Sequence, residues 1–342
     1  MSNNTSHDLE ISEQAFLHRT QHCQIEIKII PSYHCNINCK YCYNNGIDNG
    51  FYNENLPLIK NQLDRIFQQT HNNVSVIVEI IGGEPLSPKI FPVTCEIIHN
   101  LRQQNANIKI VVQTGTSDIE KIYQIIPLVD GLSYSIDISS SPKVKNAQNL
   151  LKICHECQEH SVLTQIQTIL DISDNPKTII EFIKTCESSG AGWIGLEYPQ
   201  YQRYSQNLMD HQISVYLELI EALKGITQIT IGGAIIESTL DYIHGNSYSS
   251  SCMCGEKSIT IQPDGSISPS LHFFINKKNT IPEFLNLKKI RSSALRDGIC
   301  GECDYWGVCH GGCMAHAEFL TGSSMNRDEE YCYILSNVIK TL

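Results

Sequence analysis

Six apolar, β-branched runs recur along the first two thirds of the chain. They are QIEIKII (24–30), VSVIVEII (74–81), IKIVV (108–112), LSYSID (132–137), LTQIQTIL (163–170) and WIGLEY (193–198). Several are nearly continuous, the pattern of strands buried on both faces. Helical patterns lie between them. Ile59, Leu63, Ile66 and Phe67 fall on one helix face, and Leu150, Ile153, Cys154 and Cys157 on another. Six strand–helix units in a row predict an α/β fold: a partial (β/α)6 TIM-like barrel around a parallel sheet. In such folds chemistry gathers at the C-terminal ends of the strands. The pattern then changes. A helix near 208–224 leads into ITQITI, and SITIQPDGSIS (258–268) reads as a β-hairpin turning at Pro263, Asp264 and Gly265. The expected division is an N-terminal extension (1–23), a barrel (24–224), and a bridging region with a small cysteine-rich α+β domain (225–342).

The 342 residues carry a formal net charge of −11 with no Lys/Arg cluster, which argues against a nucleic-acid partner. No apolar run reaches the length of a membrane span, and MSNNTSHDLEISEQAF has no secretory pattern. A cytoplasmic chain is expected. Fifteen cysteines is a high count for such a chain. Their odd number and short C-x2-C spacings read as metal or iron–sulfur ligation, not as a secreted disulfide framework.

CNINCKYC (35–42) follows the first run and places Cys35, Cys39 and Cys42 in a C-x3-C-x2-C spacing. A cubane iron–sulfur cluster needs four iron ligands, so three thiolates leave one iron open. An open position lets a metal centre bind substrate and not merely brace a fold. The alternative is a structural zinc site with His34 as fourth ligand.

Cys35, Cys39 and Cys42, with Tyr41 before the last cysteine, resemble the signature of the radical S-adenosylmethionine (SAM) family. The resemblance implies a [4Fe-4S] cluster whose open iron is chelated by SAM, and hydrogen-atom abstraction through a 5′-deoxyadenosyl radical. IIGGEPL (80–86) resembles the family's GGE motif, implying SAM contacts from Gly82, Gly83, Glu84 and Pro85, with Glu84 taking the ammonium group. VVQTGT (111–116) and SID (135–137) resemble strand-end positions that contact the SAM ribose or carboxylate, making Gln113, Ser135 and Asp137 candidates. Asp137 also suits a helix cap, and SIDISSSPK lacks a glycine that relatives often carry. Gly195 and Glu197 end the sixth run, where packing and lining the adenine or substrate side are both open readings.

The tail CGECDYWGVCHGGC (300–313), with Cys332 beyond, resembles the SPASM extension of radical SAM enzymes, which holds auxiliary iron–sulfur clusters. The resemblance implies an outer cluster on Cys300, Cys303, Cys309 and Cys332, and an inner one on Cys252, Cys254 and Cys313. Ser270 stands where the pattern has a cysteine, leaving Ser270, His272, water or substrate to fill one inner position. A zinc-ribbon-like knot is the plainer alternative. Cys154, Cys157, Cys186, Cys95 and Cys23 read as packing residues.

SPASM enzymes most often act on peptides, so the expected substrate is a ribosomally synthesised precursor peptide that is crosslinked, epimerised or cut in its backbone. The implied electron donor is a flavodoxin or ferredoxin. About 23 residues precede the first run, too few for a winged-helix leader-binding domain. A separate leader-binding protein or the catalytic domain itself is then expected to read the leader. A small-molecule substrate is one alternative. A sulfatase-maturing oxidase is another, weakened by Leu271 where that group has an acidic residue. A non-catalytic iron–sulfur scaffold or electron carrier explains the cysteines but not GGEP.

Overall fold

A computed structural model describes residues 25–37, 39, 41–42, 55–69, 75–104, 107–136, 138, 149–170, 175–197, 203–223, 230–247, 253–271 and 281–342. The expected alternation is present. Strands β1 (Ile25–Ile29), β2 (Val76–Ile80), β3 (Ile108–Thr114), β4 (Gly131–Ser135), β5 (Leu163–Ile169) and β6 (Trp193–Glu197) lie side by side in chain order, each pair parallel. Helices α1 (Leu56–Gln69), α2 (Phe91–Arg102), α3 (Ile119–Ile125), α4 (Leu150–Glu159) and α5 (Pro176–Ser188) alternate with them. Local chemistry sets several helix starts. Asp118 accepts the Lys121 N–H ahead of α3, and Asn175 accepts the Lys177 N–H with Pro176 following, a residue whose missing N–H costs nothing at that position.

Two strands lie beyond the six expected. β7 (Thr230–Gly232) pairs parallel with β6, and β8 (Ser258–Ile261) pairs parallel with the other side of β1. The sheet order is β7-β6-β5-β4-β3-β2-β1-β8-β9. β9 (Ile267–Ser268) pairs antiparallel with β8, so the expected hairpin is present. Asp264 shapes its turn, accepting from the Ser266 N–H at 3.1 Å.

Side-chain parity separates two environments. Ile25, Ile27 and Ile29, Val76, Val78 and Ile80, Ile110 and Val112, Leu132 and Tyr134, Ile194 and Leu196 all join the core beneath the helices. The cross-strand register places their alternates on the opposite face: Glu26 and Lys28, Glu79, Gln113, Ser133 and Ser135, Gln165 and Gln167, Trp193 and Glu197. One face is therefore hydrocarbon and the other largely polar. Cys154, Cys157 and Cys186 are fully buried in the core, as their place on helix stripes predicts.

The tail is seated on the helix layer. α6 (Gln206–Leu223) and α7 (Ala234–Ile243) follow β6 and β7, and α11 (Glu329–Thr341) packs against both. The Tyr331 hydroxyl lies 2.7 Å from Ser238 Oγ and donates to the Ala234 carbonyl at 3.2 Å. The Tyr204 N–H donates to Glu330 at 2.8 Å. α8 (Ile281–Asp297), α9 (Trp306–Cys309) and α10 (Met314–Thr321) complete it. Among the described residues no helix is long and apolar enough to cross a membrane.

β1 is flanked by β2 and β8, and Ile27 at its centre is wholly buried. Ile27→Ala is expected to cost about 2–5 kcal/mol through lost transfer energy and a residual cavity. Anaerobic urea denaturation reads this as a lowered midpoint with an unchanged slope.

Candidate cluster and cofactor site

The three-cysteine loop leaves β1 directly, so it stands at the C-terminal edge of the sheet. Cys35 and Cys42 are half-buried and Cys39 is buried. The Cys42 N–H donates to the Cys39 carbonyl at 3.2 Å, and Cys35 Sγ lies 3.3 Å from the Ile37 N–H. Burial, opposed by the Ile37 N–H and reinforced by Glu84, Cys42 and Cys39, pushes the Cys35 thiol up to about 11. Tyr33, between β1 and the loop, donates its hydroxyl to the Gln262 side chain on the hairpin. Gln262 donates to Ser268 Oγ at 2.6 Å, and Ser268 donates to the Ser270 carbonyl at 3.0 Å. The loop and Ser270 are thus joined through one chain of hydrogen bonds.

The GGE segment closes on this loop. Gly82 and Gly83 have φ of +86° and +42°. A Cβ on Gly83 would lie 2.2 Å from the His34 carbonyl oxygen and 2.7 Å from that of Ser32. Only glycine allows the two strand exits to approach so closely. The Glu84 N–H then donates to the His34 carbonyl at 2.9 Å.

The Glu84 side chain is 1% exposed and faces inward. One carboxylate oxygen accepts from the Leu86 N–H at 2.9 Å and the Thr114 hydroxyl at 2.6 Å, the other from the Gly115 N–H at 2.9 Å. The carboxylate thereby braces the ends of β2 and β3. Pro85 follows in the same turn and its carbonyl accepts from Thr94 at 2.9 Å. Gln113 and Ser135 are brought together: the Gln113 amide donates to Ser135 Oγ at 3.4 Å across the ends of β3 and β4. Asp137, Cys252 and His272 lie outside the described residues.

Glu197, at the end of β6, accepts from the Ala234 N–H at 3.4 Å. Glu237 on α7 accepts from the Gly233 N–H at 3.2 Å. Burial first, then the neighbouring Glu237 carboxylate, pushes Glu197 up to about 7, against the Ala234 N–H and the Lys28 ammonium. Lys28 itself lies 3.4 Å from Glu79 and 3.6 Å from Glu26. Sequence reasoning named Glu197 but missed Lys28, Glu79, Glu26 and Glu237. For the first three the signal is the polar alternation of β1 and β2, which the near-continuous apolar runs obscure.

The tail thiols form two groups. Cys300, Cys303, Cys309 and Cys332 lie within electrostatic reach of one another, and burial, with Cys332 as the next cause, pushes Cys309 up to about 12. Cys254 and Cys313 instead pack around Phe284, Met314 and Ala315. Among the described residues no three His, Cys, Asp or Glu side chains converge on one point, as they would around a single ion. Thiolates on a cubane each bind their own iron. Three thiols on the first loop, and four in the tail within reach of one another, are the donor type that iron–sulfur clusters take, so both thiol-rich loops fit iron–sulfur ligation.

Two predictions follow from the carboxylates. Glu84→Gln places an amide N–H₂ against groups that donate, and is expected to cost about 1–3 kcal/mol of stability. The test is the same substitution in the Cys35/Cys39/Cys42→Ala chain. An equal loss there marks a brace, and a vanished loss marks a cofactor ligand. Glu197 is protonated in the folded chain at pH values where the unfolded carboxyl has ionised, so it makes stability fall as pH rises from about 4.5 to about 7. Glu197→Gln is expected to flatten that segment by about 1–2 kcal/mol, allowing for its partial exposure. Denaturation midpoints at pH 5 and pH 8 check it.

A family model described as a 4Fe-4S single cluster domain matches residues 31–164, from the start of the cysteine loop to the start of β5. The radical SAM cyclopropyl synthase TigE of Paramaledivibacter caminithermalis is 22% identical, with 92% of this chain and 73% of the relative covered. The crystal structure of Streptococcus suis SuiB bound to S-adenosylmethionine has a similar fold: TM-score 0.63, 15% identity, covering 97% of this chain and 83% of that one. The structure of native anSMEcpe with bound AdoMet and Cp18Cys peptide gives 0.65 and 16%, covering 93% and 96%. The cluster-domain match opens in the three-cysteine loop, and a radical SAM enzyme is similar to this chain over nearly its whole length.

Proposed function

We propose that this enzyme abstracts a hydrogen atom from a ribosomally synthesised precursor peptide, installing a crosslink, inverting a centre or excising a backbone fragment. The observation that carries the reading is the polar face of the sheet beneath the cysteine loop. Gln113, Gln165 and Gln167 stand on it with Ser135, and side-chain amides both donate to and accept from a peptide backbone. The Ser133 and Thr260 hydroxyls are buried on the same face with no partner among the described residues, a cost that a polar ligand removes. The similar fold of anSMEcpe, solved with a peptide, supports the same substrate class.

Cys35, Cys39 and Cys42 would hold the [4Fe-4S] cluster, and the backbone of Gly82 and Gly83 with the Gln113–Ser135 pair would hold the SAM. Bound there, the two would supply the radical chemistry that removes a hydrogen atom. The chain's own residues orient the peptide along the polar face. Glu197, its carboxyl pushed up by burial, sits at the strand exits as a proton acceptor for the substrate. A flavodoxin or ferredoxin would deliver the electron, and a separate small protein or the barrel itself would read the peptide's leader.

The test is anaerobic co-production with the short peptide encoded beside this chain's gene, followed by mass spectrometry. Loss of two hydrogens, deuterium uptake from heavy water, or loss of a larger fragment is expected. Each should vanish in the Cys35/Cys39/Cys42→Ala chain. An unchanged peptide beside active SAM cleavage overturns the peptide reading.

A further inference from the structure

We propose that Arg291 is the positioning residue of the tail's iron–sulfur site: it shapes the Cys309–Cys313 loop and sets a buried positive charge beside the thiolates. This rests on the reading that the tail cysteines hold a cluster. Arg291 lies on α8 and is 4% exposed. Its guanidinium has five N–H groups, and the structure gives five contacts to backbone carbonyls. Nη1 donates to His310 and Gly312 at 3.3 Å each, Nη2 to Gly311 at 2.5 Å and Asn326 at 2.9 Å, and Nε to Asn326 at 3.1 Å. A rigid planar fork suits such a set, and a lysine has only three donors on one atom.

The carbonyls it gathers belong to a left-handed turn, in which His310 is the one residue other than glycine. His310, Gly311 and Gly312 have φ of +48°, +80° and +70°, three left-handed residues in succession between two cysteines. Such backbone persists only where its surroundings hold it. Arg291 holds one side. On the other, the Asp328 N–H donates to the Gly311 carbonyl at 2.8 Å. Asp328 also caps α11, accepting from the Tyr331 N–H at 3.1 Å, and its carbonyl takes the Cys332 N–H at 2.9 Å. One buried cation thus fixes the turn joining Cys309 to Cys313, and that turn is keyed to the helix start that carries Cys332.

The carbonyls order the loop, and their hydrogen bonds hold the guanidinium beside the turn between Cys309 and Cys313. Four thiolates on a cubane leave it net negative, and reduction adds one more negative charge. A buried cation favours the reduced form and makes the cluster easier to reduce.

The experiment uses the full chain with Cys35, Cys39 and Cys42 changed to Ala, so that only tail iron remains. Iron and sulfide are counted after anaerobic reconstitution, and the midpoint potential is taken from an EPR-monitored titration. Arg291→Gln is expected to lower the reduced-to-oxidised ratio at fixed poise about tenfold, equivalent to about 59 mV for one electron. Arg291→Lys, which keeps the charge and loses the fork, is expected to restore the potential while binding less iron. Should Arg291→Gln retain no cluster, Arg291→Lys alone carries the test, with the parent's potential on a reduced iron content expected. Parent-like iron and potential in Arg291→Gln overturn the proposal and leave the tail cluster standing. A parent that binds no tail iron overturns both.

Discussion

The amide of Glu84 donates to the carbonyl of His34 while its carboxylate accepts from Leu86, Thr114 and Gly115. One residue thereby ties the exits of β1, β2 and β3. The described residues of the cysteine loop form no helix or strand, and their position depends on what the flanks are bonded to. Gly83 brings the backbones close enough for the amide to reach, and the buried carboxylate keeps the third strand in register. An ionised acceptor on two backbone N–H groups and a hydroxyl is among the stronger arrangements available to a protein. The open end of the sheet is held stiff at the place where a cofactor must be oriented.

The polar face of the sheet depends on a different constraint. A parallel strand covered on one side by helices must put hydrocarbon there, and its alternate residues then face inward together. Here those alternates are glutamines, hydroxyls and a charged set. Lys28 lies close to Glu79 and Glu26, and Glu197 feels both Lys28 and Glu237. In such a confined space charges couple strongly, so the protonation of Glu197 responds to whatever occupies the space. A cationic group entering beside it would draw its proton off, and an apolar one would keep it on.

Much of the fold is legible in the sequence because burial on both faces leaves long β-branched runs that helices cannot imitate. β7 is not legible. It has three residues, Thr230–Gly232, and its pairing comes from tertiary space. The Trp193 indole lies across β6 and β7, where a Cβ on Gly195 or Gly232 would come within 2.4 or 2.5 Å of the ring. The parallel pairing of β8 with β1 is equally hidden, since 258–261 reads only as half of a hairpin. In the site, the cysteine loop is legible because thiol spacing is itself the chemical requirement. The inward turn of Glu84 is not, because its partners Thr114 and Gly115 lie a whole strand–helix unit away. Arg291 is hidden for the same reason. Nothing in α8 marks it, and its four acceptors are backbone carbonyls without sequence identity.

The tail does more than carry cysteines. The sheet has two edges, one at β7 and one at the β8–β9 hairpin. At the first, α11 packs against α6 and α7, with Tyr331 bonded to Ser238 and Ala234. At the second, Cys254, beside β8, packs with Cys313 around Phe284 and Met314. One compact segment therefore contacts both ends of an incomplete barrel, which a further strand would do in a complete one.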